Sequence, residues 1–324
     1  MSFFIVLFIF GLISANSGAA IRSDSGVFNY EIPIPRSQTR REYLQSVTAF
    51  WTPERIASAR PMESSFDANI RMSSLDIQEN EAENIERLLT PPAPLNLRAP
   101  VGPPAVGKIF FSFDKLTYMC SGSVVNAANR DTIVTAGHCV YNNTAKVFAT
   151  NLIFMPHYEN NVRPHGTFPA RSIVTTQEWM AKVDYTHDVA VVVVDTNDEY
   201  EHVQDLAGAF GISLNAPEVG ATHLFGYPVN SEKGEVMDTC NGQTAKPSTI
   251  VSMLSNNFKG MQITCGMNGG SSGGPWIRNY NSNTGSGLQV AVTSFGSSLA
   301  PGKIHGPLFK DANIGQLFNF AKNK

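Results

Sequence analysis

Ser272 is the residue around which the chemistry of this chain can be built. It lies in the turn Gly270-Ser271-Ser272-Gly273-Gly274-Pro275. A serine hydroxyl is a weak nucleophile until a base takes its proton and nearby donors stabilise the oxyanion it creates. Glycines on both sides let the backbone bend so that successive N–H groups converge on one point. A base and an acid to orient it stand upstream. His138 follows Ala136-Gly137 and precedes Cys139, and Asp188 follows His187 and opens a run of valines. Ser271 competes with Ser272, but only Ser272 leads directly into Gly273-Gly274-Pro275 and has Gly270 two residues before it. His187 competes with His138; in an extended chain it faces away from Asp188, so it is read as non-catalytic.

Taken together, and in the order His, Asp, Ser, these segments resemble the trypsin/chymotrypsin-like (PA clan) serine peptidases. In detail the likeness is to the secreted microbial trypsin-like and V8-like peptidases made with a propeptide, and it spans residues 99–324. The resemblance implies roles. His138 is the general base, Asp188 holds its tautomer, and Ser272 attacks the scissile carbonyl. The N–H groups of Gly270 and Ser272 form the oxyanion hole. Ser294-Phe295-Gly296 resembles the family's Ser-Trp-Gly segment, which pairs with the substrate backbone as a strand. Gly266 and Met267 fall in the specificity pocket. The family joins the pair matching Cys120 and Cys139, which leaves Cys240 with Cys265; the second bridge would close a loop worth about 2–4 kcal/mol.

Two departures from the family pattern bear on function. Animal digestive members carry Asp before the nucleophile, where it pairs with a new N-terminus; here that residue is Ser271, and no Ile-Val-Gly-Gly start follows an arginine. Trypsin-type enzymes place Asp at the pocket base, where this chain has Gly266, and glutamyl-specific relatives place His in the strand that here reads Val292-Thr293-Ser294-Phe295-Gly296. The substrate class is polypeptide, and the preferred side chain stays open.

The 324 residues allow one large domain plus extras or two modest ones. Hydrophobic content of 42%, charged content of 16% and a net charge of −3 are ordinary for a globular protein and argue against nucleic-acid capture. With no Cys-x-x-Cys and no His-Glu-x-x-His, four cysteines read as two disulfides, and no metal or other cofactor is expected. Residues 2–14 are apolar and too short to span a bilayer comfortably, and small residues follow to Ala20. Residues 1–20 therefore read as a signal peptide, and the protein as secreted and extracellular.

Residues 21–98 read as a propeptide and linker. Arg40-Arg41 is a candidate processing site. Thr52-Pro53-Glu54 opens a helix that ends near Arg60-Pro61, since Thr caps, Pro fits the first position and Glu favours the positive end. This stretch resembles one in microbial peptidase propeptides. Residues 76–86 suggest a second exposed helix. The proline-rich run 90–104 is a stiff linker at the domain boundary, with cleavage near Arg98 as one option. Beyond it come short strands, at 107–113, 116–125, 133–135, 147–154, 172–175, 189–194, 223–227, 249–254, 261–264, 276–277 and 288–295. The resemblance implies an all-β fold of two six-stranded antiparallel Greek-key barrels. Ile314, Leu317, Phe318 and Ala321 recur at helical spacing and predict a C-terminal helix. Asn142-Asn143-Thr144 is a glycosylation sequon.

The reading is a secreted, monomeric serine endopeptidase that acts on polypeptides and is made with its own propeptide as inhibitor or folding aid. It meets no nucleic acid and, after signal cleavage, no membrane. Two other readings compete. Gly270-x-Ser272-x-Gly274 also fits the nucleophile elbow of α/β-hydrolases, but these run Ser, acid, His, and after Ser272 the chain offers His305 and then Asp311 in the wrong order. The other is a peptidase-like binding protein without activity, against which stands the presence of all three triad residues.

Overall fold

The computed structural model describes residues 20–22, 26–62 and 102–324. The predicted signal segment up to residue 19, the predicted helix at 76–86, Arg98 and most of the proline-rich linker lie outside the described residues.

The N-terminal part comprises β1 (Ala20–Arg22), β2 (Val27–Glu31), α1 (Arg40–Phe50), α2 (Pro53–Ser58) and β3 (Arg60–Pro61). Then follow β4 (Val106–Phe113), β5 (Leu116–Val124), β6 (Thr132–Thr135), the hairpin β7 (Tyr141–Asn142) and β8 (Val147–Phe148), and β9 (Thr150–Pro156) and β10 (Phe168–Thr176). After α3 (Gln177–Lys182) comes β11 (Ala190–Val194). Hydrogen bonding runs β10-β11-β6-β5-β4-β9, and β9 returns to β10 through Phe168↔Phe154 and Pro169↔Ile153. That closes a six-stranded antiparallel barrel with no free edge within it.

A short helix α4 (Val203–Ala207) and β12 (Gly211–Ile212) lead into the second half. It contains β13 (Ala221–Gly226), β14 (Asp238–Gln243), α5 (Thr249–Leu254), β15 (Gly260–Thr264), β16 (Pro275–Asn281), β17 (Ser286–Val292), β18 (Phe295–Gly296) and β19 (Lys303–Pro307). Its ladders form two sheets, β17-β16-β13-β14 and β15-β19-β18. Single bridges, Ala245↔Gln262 and Ala291↔Leu308, stitch the sheets into the second barrel. The C-terminal helix α6 (Gln316–Ala321) follows a wide turn at residues 311–315 and buries Leu317 and Ala321, and Ile314 just before it is buried too. It packs on β10 and β11. This explains why β11 reads as an unbroken valine run: one face meets the barrel interior and the other is covered, so all five residues are buried.

The N-terminal part is built into the first barrel. β9 leaves β10 beyond Pro169, and β2 takes the vacated edge from Ser172↔Glu31 to Thr176↔Val27. Trp51 is buried, donates its indole N–H to the Asn151 carbonyl at 2.7 Å and packs 5.4 Å from the Phe110 ring. That covers the outer face of β4, all eight of whose residues are buried. Arg40 and Arg41 sit in the first turn of α1, which begins in a Thr39/Glu42 capping box. Arg40 pairs with Asp195 through two bonds, at 3.1 and 2.5 Å.

The sequence expectations need four corrections. Residues 249–254 are helix, not strand: the Ser248 hydroxyl accepts the Val251 N–H and starts a turn whose only buried residue is Val251. An apolar run with no neighbouring strand to pair with has no ladder to join. The run 147–154 is split at Ala149 between β8 and β9. The helix begun at Pro53 stops at Ser58, because Arg60 and Pro61 extend as β3. β14 and β19 were not foreseen, since Asp238-Thr-Cys-Asn-Gly-Gln243 and Lys303-Ile-His-Gly-Pro307 lack the apolar density of a recognisable strand.

Candidate active site

β6 delivers His138. Its last residue, Thr135, pairs with Ala190 at the start of β11, and the chain then tightens into the turn Gly137–Cys139. A Cβ on Gly137 would lie 2.7 Å from Trp179, so only glycine lets the turn pass. The Cys120–Cys139 disulfide, with Cα atoms 6.2 Å apart, ties the turn to β5. Asp188 ends the turn Tyr185–His187 and stands two residues before Ala190, where β11 starts, so the β6/β11 ladder sets it beside His138.

The Asp188 carboxylate is fully buried and has three donors. Oδ1 accepts the His138 backbone N–H at 2.8 Å; Oδ2 is 2.8 Å from His138 Nδ1 and accepts the Ser294 hydroxyl at 2.5 Å. These bonds offset the cost of removing the carboxylate from water. With Nδ1 engaged, Nε2 is the imidazole nitrogen left for chemistry; it is buried and has no hydrogen-bond partner among the described residues. Ser294, expected to line the substrate channel, therefore also binds the Asp188 carboxylate. His187 stands apart and bonds Asp184 at 3.0 Å. Its separation comes from a 3₁₀ turn, not from the alternation of an extended chain.

The glycine-rich turn sits between β15 and β16 and closes on itself: Ser271 N–H reaches Asn268 O at 3.1 Å and Gly274 N–H reaches Ser271 O at 2.9 Å. Gly270 (φ 94°) and Gly273 (φ 78°) take backbone conformations that side chains disfavour. A Cβ on Gly270 would meet the Tyr227 carbonyl at 2.4 Å, and one on Gly273 would meet Thr135 Oγ1 at 2.1 Å. The turn is also bolted to the first barrel. Ser121 N–H donates to Ser272 O at 2.7 Å, while its hydroxyl donates to Gly270 O at 2.8 Å and accepts the Tyr227 N–H at 2.9 Å. Sequence reading had passed over Ser121, whose only signal was its place next to Cys120. The backbone N–H groups of Gly270 and Ser272 enter none of these bonds. Ser271 turns its hydroxyl back to Asn268 O at 2.7 Å. Ser272 Oγ donates to the carbonyl of Met62 at 3.3 Å, so Ser272 and His138 are not bonded to one another.

Beside Ser272 lies a cavity of about 340 Å³. Gly266, Met267, Ser294, Phe295 and Gly296, the residues expected to bind substrate, all line it. A Cβ at Gly266 or Gly296 would meet nothing within 4 Å, so both face open space. Ile304 and Thr293 add to the walls, Lys303 stands among them, and among the described residues no carboxylate lines the cavity. The Cys240–Cys265 disulfide holds its edge to β14, with Cα atoms 5.7 Å apart. Phe295 stacks on His305 at 4.8 Å, and burial, with a smaller push from Lys303, lowers the His305 pKa to about 4. Asn142 lies half-buried in the β7/β8 hairpin, its side-chain oxygen taken by the N–H groups of Thr144 and Ala145. Among the described residues no helix is long and apolar enough to cross a membrane.

Comparison with known proteins gives a consistent picture. The family model described as Trypsin matches residues 103–309. The protease Anisep from Arthrobacter nicotinovorans superposes with a TM-score of 0.62 at 32% identity, covering 70% of this chain and 98% of its own. The thermostable serine protease AL20 from an extremophilic microorganism gives 0.61 at 32% identity, covering 68% and 98%. A Glu endopeptidase shares the fold, with a TM-score of 0.54 at 20% identity over 70% of this chain and 94% of its own. A protein named extracellular metalloprotease from Bacillus subtilis (strain 168) is 26% identical over 182 residues, 56% of this chain, so the match spans about half of that relative (53%). The name of that relative raises the question of a metal here. Among the described residues one group has ligand-like spacing, Cys120, His138 and Cys139, and it does not fit a metal. Its two sulfurs are joined to each other and offer no thiolate.

Proposed function

The chain belongs to the trypsin family, and we propose that it is a secreted serine endopeptidase acting through His138, Asp188 and Ser272. The observation that carries this reading is the buried Asp188 carboxylate, held by three donors and bonded to His138 Nδ1. That arrangement sets the imidazole tautomer and leaves Nε2 as the base. Ser272 attacks the peptide carbonyl as Nε2 takes its proton. Asp188 stabilises the imidazolium, and the N–H groups of Gly270 and Ser272 receive the oxyanion. Collapse of the tetrahedral intermediate passes the proton from His138 to the leaving amine and leaves an acyl-enzyme on Ser272 Oγ. Water, deprotonated by His138, then releases the acid.

The cavity lined by Gly266 and Gly296 takes the side chain that precedes the scissile bond, and Ser294-Phe295-Gly296 pairs with the substrate backbone. With no carboxylate among its described lining residues, the cavity offers no counter-charge there for arginine or lysine. The N-terminal part acts as a propeptide, and half-buried Asn142, in its Asn142-Asn143-Thr144 sequon, is the candidate glycan acceptor.

The test is Ser272→Ala. The variant should keep its circular dichroism and melting temperature and lose about 10⁴-fold or more in kcat on peptide substrates. Turnover at the level of the unsubstituted protein would rule out Ser272 as the nucleophile.

A further inference from the structure

The N-terminal part does more than brace the first barrel. β3 lies parallel to β5, with Arg60 opposite Tyr118 and Pro61 opposite Met119, and Met62 N–H donates to Met119 O at 3.0 Å. β5 runs on through Cys120 to Ser121, which bonds the nucleophile turn. The strap is thereby guided along β5 to the site, and its last described residue presents its carbonyl to Ser272 Oγ at 3.3 Å. Ser272 is 7% exposed under this cover. In acyl transfer the carbonyl oxygen belongs at the oxyanion donors, with Oγ directed at the carbon and its proton at the base. Here the oxygen, not the carbon, faces Oγ. The Ser272 hydroxyl is directed at the Met62 carbonyl, and His138 Nε2 has no hydrogen-bond partner among the described residues.

We propose that Arg60-Pro61-Met62 is a built-in inhibitor, a strand that sits on the leading edge of the cleft and holds the Ser272 hydroxyl away from His138 without being cut. This rests on the peptidase reading and adds its regulation. The contact is independent of chain continuity. Residues 26–62 are anchored by the five-residue β2/β10 register, by buried Val27, Val47, Trp51 and Ile56, and by the Arg40–Asp195 pair. A cut between 63 and 101 therefore leaves the strap seated, and activation requires its displacement or a second cut within residues 26–62.

The experiment labels the full-length chain with a fluorophosphonate and reads only the uncut band. Two variants free the strap by different routes. Met62→Pro deletes the N–H that bonds Met119, and Ile56→Asp unseats α2 at a buried position away from the cleft. Circular dichroism confirms the fold of each, so that one serves if the other misfolds. A strap seated nine-tenths of the time slows labelling about tenfold, so the uncut band of either variant should label about tenfold or more faster than that of the parent. Equal rates in parent and folded variants would overturn the strap. Absence of label on all three folded proteins would instead overturn the triad assignment beneath it. A parent nicked between 63 and 101 should retain the N-terminal fragment on gel filtration and keep the slow rate; fast labelling with the fragment still bound would refute inhibition by contact.

Discussion

The two barrels are built to different tolerances. The first is one continuous hydrogen-bonded surface, closed from β9 to β10, extended at the β10 edge by β2 and covered outside by Trp51 and α6. The second is two sheets joined by two single bridges and one disulfide, and most of the large exposed apolar side chains stand on it, among them Val219, Ile250, Met253 and Leu254. The division suits the chemistry proposed for each half. A base and its acid must keep one fixed separation, which a closed and doubly covered barrel enforces by leaving no space to shift into. The half that carries the cavity would, on the proposed function, receive the substrate side chain, and Gly266 and Gly296 leave open space there. Ser121 joins the two tolerances, because its N–H and hydroxyl fasten the nucleophile turn to the stiffer half.

The sharpest test of the rigid half is Asp188→Asn. The amide replaces one accepting oxygen by a donor, so it cannot accept the His138 backbone N–H at one atom while the other accepts from Ser294 and His138 Nδ1, and kcat should fall about 10⁴-fold with little change in KM, measured on a peptide substrate. Next comes the external brace. Trp51→Ala in the full-length chain opens a cavity over β4 and should lower stability by about 3–5 kcal/mol in denaturant melts. A loss within 1 kcal/mol would mean that the N-terminal part is a passenger on the first barrel.

In the looser half, replacing Cys240 and Cys265 by alanine should lower stability by about 2–4 kcal/mol and raise KM, because Cys265 borders the pocket. An unchanged KM would separate the bridge from the site. The smallest effect concerns acid. His305 is neutral in the fold down to a pKa of about 4 and ordinary at 6.5 when unfolded, so between these values the unfolded chain binds the extra proton. Stability should thus fall as pH drops from 6.5 towards 4, with the loss reaching its limit below 4. His305→Gln should flatten the slope of Tm against pH over that window; an unaltered slope would point to other groups.

The chain's punctuation and residue chemistry made much of this legible in advance. Thr52 and Pro53 start a helix because a cap and a ring-fixed φ act locally. Leu317 and Ala321 face inward together because 3.6 residues make a turn, and Ile314 is buried with them from the wide turn just before the helix. Gly270 and Gly273 mark a bend that no side chain accommodates. The apolar runs of β4, β5 and β11 predict buried strands from pattern alone. Residues 249–254 misled because six apolar-rich residues carry no period long enough to separate strand from helix, and the deciding hydroxyl of Ser248 lies outside the run.

What the sequence by itself determined is the set of groups able to do chemistry and the turns that expose them, since both depend on residue type and near neighbours. What only the tertiary structure decided is which of these groups meet across the chain. Ser294 reaches Asp188 over 106 positions, Ser121 reaches Gly270 over 149, and Met62 reaches Ser272 over 210. Such contacts are selected by strand register and barrel closure. Register is a property of the whole sheet, and no local stretch of residues encodes it.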